Sequence, residues 1–168
     1  LLIIYMNKKW LYAPLLIALL LGGVYVYNKY RVAPKLNLYS LQLSTVEGKA
    51  VNMANFKGRK TILCFSASWC GPCRHELKTI GKIKSTELAD VQVLVISDEE
   101  PAQVDLFAQS LHPDFVVLKL AKPFADLGIY SIPTTYLLDK NFDVKKESVG
   151  YVDWSDPSTL AHLKALLD

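Results

Sequence analysis

Hydrophobic and polar positions change rhythm several times along the chain. Residues 10–27 pass without a charge, with a run of Leu, Ile and Ala at 15–21, and aromatic residues gather at the two ends (Trp10 and Tyr12; Tyr25, Tyr27 and Tyr30). At 1.5 Å per residue a helix over this stretch spans about 27 Å, close to the hydrocarbon thickness of a bilayer. Beyond residue 40 the runs are short. Leu41 and Leu43 alternate with polar neighbours, Glu47-Gly48-Lys49 marks a turn and Val51 resumes, which predicts a β-hairpin. Residues 53–57 suit one helical turn ended by Gly58. The apolar runs 61–66 (TILCFS) and 91–96 (VQVLVI) read as buried strands.

Between those strands Leu77, Ile80 and Ile83 recur at helical spacing, which predicts a helix from Cys70 to about Ser85. Asp98-Glu99-Glu100-Pro101 supplies start signals for a helix reaching about Ser110. Residues 115–118 form a third strand and 123–127 a short helix. Residues 134–138 and 144–149 make a hairpin around the turn at 140–143, and 154–167 a closing helix with Leu160, Leu163 and Leu167 on one face. Strands alternating with helices, followed by a late hairpin, argue an α/β sheet flanked by helices. The expected organisation is a flank at 1–9, a membrane span at 10–27, a linker at 28–35 and one domain over 36–168.

Charge refines the picture. Four of the 19 basic residues precede residue 34, leaving 15 against 16 acidic ones in the remainder. The domain is therefore close to neutral. Its basic residues are not clustered with interleaved aromatics, so nucleic acid is not an expected partner. The positive charge belongs to the membrane end: Lys8 and Lys9 face Lys29, Arg31 and Lys35 across the apolar run, and this balance leaves orientation open. A cleaved signal peptide is the alternative to an anchor, since Lys8 and Lys9 form a positive n-region. The run is long for a signal, however, and no A-x-A-like site follows it.

Residues 65–73 read Phe-Ser-Ala-Ser-Trp-Cys-Gly-Pro-Cys. A C-x-x-C where a buried strand runs into a helix is the redox arrangement. The helix N-terminus directs unsatisfied N–H groups at the first sulfur and favours the nucleophilic thiolate. Cys70 is thus the expected attacking thiol, and Cys73, one turn deeper, the resolving one. A zinc site lacks a second paired spacing, because Cys64, His75, His112 and His162 are scattered. A purely structural disulfide closing so short a loop would add little chain-entropy stabilisation.

W-C-G-P-C at 69–73 resembles the thioredoxin active site. Phe56-Lys57-Gly58, Cys-x-x-Cys-Arg-x-Glu, Ile132-Pro133-Thr134-Thr135 and Leu138-Asp139-Lys140 are together similar to the TlpA/ResA-like branch of membrane-anchored or secreted proteins. The resemblance covers residues 36–168. It implies a thioredoxin-like fold, a central mixed sheet flanked by helices, with an N-terminal β-hairpin extension and one N-terminal transmembrane helix. It also implies that Pro133 is a cis-proline beside the disulfide. Trp69, Gly71, Pro72, Ile132 and Pro133 would then meet the substrate, and Glu76 would be the acid that exchanges a proton with the buried thiol. The residues alone leave Glu76 open as a solvated first-turn acid stabilised by the helix dipole. Two departures stand out: Cys64 occupies the position of the buried Asp of thioredoxins, and Lys78 the position of the branch's usual proline.

The expected function is a thiol–disulfide oxidoreductase on the extracytoplasmic face of the cell membrane. It would reduce disulfides of exported proteins, apo-cytochrome c among them, and draw electrons from a membrane donor. It would act as a monomer, with the Cys70–Cys73 dithiol in place of any cofactor or metal. A disulfide oxidase or isomerase, a peroxidase and a peptide-binding module are the rivals. His75 reads as a surface helix residue. Cys64, Tyr151 and Trp154 read as packing residues, and Asp98, Glu99 and Glu100 as compensation for a helix N-terminus.

Overall fold

The computed structural model describes residues 12–167. The flank 1–9, and Trp10 at the start of the expected span, lie outside the described residues. The apolar segment forms helix α1, Ala13–Arg31, with Pro14 in its first turn and Lys29 and Arg31 in its last. Both placements suit a helix: proline lacks an N–H that would go unused there, and cations offset the negative C-terminal end. No residue of α1 is buried, and by length and composition it is able to cross a membrane. The helix runs four residues beyond the expected span. The chain that follows is docked, with Ala33 and Leu36 packed against the core and the Pro34 carbonyl accepting a 2.7 Å bond from Tyr136 Oη.

Seven strands form one mixed sheet: β1 (Leu43–Ser44), β2 (Ala50–Val51), β3 (Lys60–Phe65), β4 (Val91–Ser97), β5 (Phe115–Leu120), β6 (Thr134–Leu138) and β7 (Val144–Val149). Their spatial order is β2-β1-β5-β4-β3-β6-β7. The pairs β3/β4 and β4/β5 are parallel, connected through α2 (Gly71–Lys84) and α3 (Pro101–Gln109), while β6/β7, β3/β6 and both pairings of β1 are antiparallel. Parallel neighbours need such crossovers, whereas β6 and β7 close by a tight turn.

Alternation along β3 divides the core. Ile62 and Cys64 face one side with Val93, Val95 and Leu137. They meet Leu77 and Ile80 of α2, Phe107 of α3, and Leu163 and Leu167 of the closing helix α4 (Pro157–Leu167). Leu63 and Phe65 face the other side with Leu94, Ile96, Tyr136 and Leu138. That side is covered by 3₁₀ turns at Leu38–Ser40, Met53–Phe56 and Phe124–Leu127, which contribute Leu38, Met53 and Phe124. The flanking helices are therefore of two kinds, α-helical on one face and single 3₁₀ turns on the other. The parallel strands β3 and β4 end side by side, Phe65 opposite Ile96, and the loops leaving them share one edge of the sheet.

Candidate active site

Cys70 is the N-cap residue of α2, with extended backbone (φ −80°, ψ 105°), and Gly71 and Pro72 open the helix. Its sulfur takes the place of a capping oxygen and accepts the Cys73 N–H at 3.2 Å. Orphan donors of a first helical turn need an acceptor, and a sulfur carrying negative charge suits them better than a neutral one. Cys70 and Cys73 form a disulfide with Cα atoms 5.2 Å apart. Cys70 retains 5% exposure and Cys73 none, so Cys70 carries the reachable sulfur of the two. Both pack with Ala67 against Ile132.

The Ile132–Pro133 bond is cis, and the Ile132 carbonyl oxygen lies 3.8 Å from Cys70 Sγ. Gly150 N–H bonds the Pro133 carbonyl at 2.8 Å and Thr134 Oγ1 bonds the Ser131 carbonyl at 2.7 Å, so the bend is held from both sides. Trp69 stands outside this packing with 73% exposure, a large aromatic surface at the rim of the disulfide.

Glu76 follows Cys73 by three residues and shares the buried side of α2, with 1% exposure. Three donors converge on its carboxylate. Oε1 accepts Thr135 Oγ1 at 2.8 Å and Trp154 Nε1 at 3.0 Å, and Oε2 accepts the Val152 N–H at 3.1 Å. Burial pushes its pKa up, and the bonds from Trp154, Thr135 and Val152 only partly oppose that. Cys64 is 1% exposed, unbridged, and opposite Thr135 in the β3/β6 ladder, with Sγ 3.6 Å from Thr135 Oγ1. Burial, and the nearby Glu76 charge after it, push the Cys64 thiol up, which keeps it protonated. The Thr135 hydroxyl has one proton, and the shorter contact to Glu76 takes it. Among the described residues, no group of three or more His, Cys, Asp or Glu gathers at metal-binding distance.

Several partners escaped the sequence reading. Trp154 precedes α4 instead of opening it, because Asp156 accepts the Thr159 N–H at 2.9 Å and Pro157 begins the helix. An acid followed by proline is a visible start signal that would have placed this boundary. Two of the acidic trio have partners away from the start of α3, and the third, Glu100, is its N-cap residue. Asp98 accepts the Phe124 N–H at 2.8 Å, Glu99 reaches Ser68, and the Glu100 side chain caps nothing. His75 is exposed and its ring lies 5.0 Å from that of Tyr151.

The Redoxin family model matches residues 31–167. Thioredoxin-like protein YneN of Bacillus subtilis is 34% identical over 158 residues, covering 86% of this chain and 92% of its own. The chain belongs to the Redoxin family. The thiol–disulfide oxidoreductase ResA of Geobacillus thermodenitrificans is 29% identical to this chain, over 68% of each, in keeping with the TlpA/ResA-like branch. A crystal structure described as a thiol:disulfide interchange protein DsbE, from Chlorobium tepidum, superposes with a TM-score of 0.63 over 77% of this chain and 95% of its own. At 22% identity that likeness bears on the thioredoxin-like fold alone. This Redoxin member is a thiol–disulfide oxidoreductase. Two features bear on the expected departures: the buried acid Glu76 belongs to α2, three residues after Cys73, and β3 contributes a buried thiol, Cys64, that its surroundings keep protonated.

Proposed function

We propose that the enzyme reduces disulfides of exported proteins on the outer face of the cell membrane, held there by α1. Reduced Cys70 attacks one sulfur of the substrate disulfide; a mixed disulfide forms and a substrate thiolate leaves. Cys73 gives its proton to Glu76, and its thiolate attacks Cys70 Sγ. The second substrate thiolate departs, the Cys70–Cys73 disulfide forms, and two electrons have passed to the substrate. Trp69, Gly71, Pro72, Ile132 and Pro133 line the approach. A membrane dithiol donor restores the reduced pair, the dithiol serves in place of a bound cofactor, and the enzyme works as a monomer. Apo-cytochrome c whose cysteine pair has been oxidised to a disulfide is among the substrates this chemistry serves.

The observation that carries the reading is the Cys70 sulfur seated as the cap of α2, accepting the Cys73 N–H, at the exposed edge of an otherwise buried pair. The Gly71-Pro72 dipeptide is that of thioredoxin, at the reducing end of known pairs. Equilibrating the full chain, in detergent, against graded thiol/disulfide buffers and trapping free thiols tests it. A potential near that of thioredoxin, about −270 mV, supports reduction. One near the strong oxidants, about −120 mV, replaces it with disulfide donation.

A further inference from the structure

The loop from β3 into α2 is five residues long (66–70), and its middle is held from outside. Ser66 N–H makes the last bond to β4, 2.9 Å to the Ile96 carbonyl, and Cys70 N–H closes a turn on the Ala67 carbonyl at 3.1 Å. Between them Ser68 gives both of its donors to one side chain. Its N–H lies 2.7 Å from Glu99 Oε2 and its hydroxyl 2.6 Å from Glu99 Oε1. The Ser97 hydroxyl adds a third bond to Oε2 at 3.0 Å, and the Glu99 carbonyl is fixed by Lys119 Nζ of β5 at 2.8 Å. The ends of three neighbouring strands thus lock one acid, and that acid clamps the residue before Trp69.

We infer that Glu99 is a positioning residue for disulfide exchange: by clamping Ser68 it sets the direction of Trp69 at the rim of the Cys70–Cys73 pair, where a protein disulfide docks. The inference rests on the reading that protein disulfides are the substrates. A carboxylate accepts all three as charge-assisted bonds, whereas a carboxamide keeps the set only by turning the Ser68 hydroxyl into an acceptor. Ser68 and Trp69 belong to no core cluster, whereas Cys70 and Cys73 are held by their packing with Ala67 and Ile132. Releasing the clamp therefore frees the rim before it disturbs the sulfurs. A small disulfide reaches Cys70 without touching the indole; a folded protein must cross it.

The test compares second-order exchange of the reduced full chain, in detergent, with insulin and with bis(2-hydroxyethyl) disulfide. In Glu99→Ala, which leaves Ser68 without the side chain that holds it, the ratio of insulin rate to small-disulfide rate falls roughly five- to tenfold, part of what a charge-assisted hydrogen bond is worth. Ser68→Ala, which carries less risk to folding, lowers the same ratio, and the double variant goes no lower than the deeper single one. The inference is overturned if the ratio stays within about twofold of the unmodified chain while that chain prefers insulin. It is overturned equally if both rates fall together. If the unmodified chain shows no preference for insulin, the protein-substrate reading fails and takes this inference with it, an outcome distinct from the other two.

Discussion

Replacing Glu76 with glutamine probes the buried acid with almost no change of shape. A glutamine whose oxygen sits at the Oε1 position keeps the bonds from Thr135 and Trp154 and turns its NH₂ toward the Val152 N–H. One donor near the core is then unpaired, worth about 1–3 kcal/mol. The protonated acid suffers the same loss, because its O–H occupies one oxygen, so below about pH 4 the two chains should differ little in stability. Burial raises the Glu76 pKa in the folded chain, so on raising the pH the unfolded chain releases this proton first. Over that window the folding equilibrium of the unmodified chain falls by up to about tenfold per pH unit, and the loss persists above it. Glutamine has no such slope. Urea unfolding of the oxidised chains from pH 4 to 8 should show Glu76→Gln gaining on the unmodified protein as pH rises, while its exchange rate drops about a hundredfold, as befits loss of a proton acceptor. If the variant instead loses ground as pH rises, the three donors outweigh desolvation and the raised pKa is refuted.

Cys73→Ser should accumulate a mixed disulfide through Cys70, whereas Cys70→Ser should trap none; intact-mass spectrometry of the two after incubation with an oxidised peptide decides this. Trp154→Phe removes the 3.0 Å donor to Glu76 and should cost about 1–3 kcal/mol. With that donor gone the Glu76 carboxyl moves further up, so the fall of stability with pH should extend to higher pH in the same urea series. Phe65→Ala empties a fully buried position where the ring meets Phe124 and Tyr136 edge-on, at 5.7 and 5.8 Å between centroids. It should cost about 3–5 kcal/mol by chemical denaturation.

The local grammar of the chain carried most of the architecture. The hairpin turn at Gly48, the two buried runs around the Cys-Gly-Pro-Cys motif and the late hairpin each announce themselves within a dozen residues, and each lies within a few residues of its expected place. The surroundings of Glu76 were not legible in this way. Its donors come from residues 59, 76 and 78 positions further along the chain, and only the register of β3 against β6 and the path into α4 bring them together. Glu99 misled for a related reason. An acid two residues before a helical proline looks like a helix start, while its actual partner lies 31 residues earlier. The docked stretch after α1 read as a linker because Val32, Ala33 and Pro34 carry no periodic signal. Its fixing bond is a single tyrosine hydroxyl from β6.

That the Cys70 sulfur caps α2 has a consequence best put as a thermodynamic cycle. Folding and reduction can be taken in either order around a closed loop, so the difference in folding free energy between the oxidised and reduced chains equals the difference in reduction free energy between the folded and unfolded ones. Whatever the helix end gives to a thiolate at its cap, over what it gives to a bridged sulfur, appears in both quantities at once. For a two-electron couple about 30 mV of potential corresponds to about 1.4 kcal/mol. A pair of melting curves, with and without reductant, therefore measures how far the fold has moved its own dithiol along the redox scale.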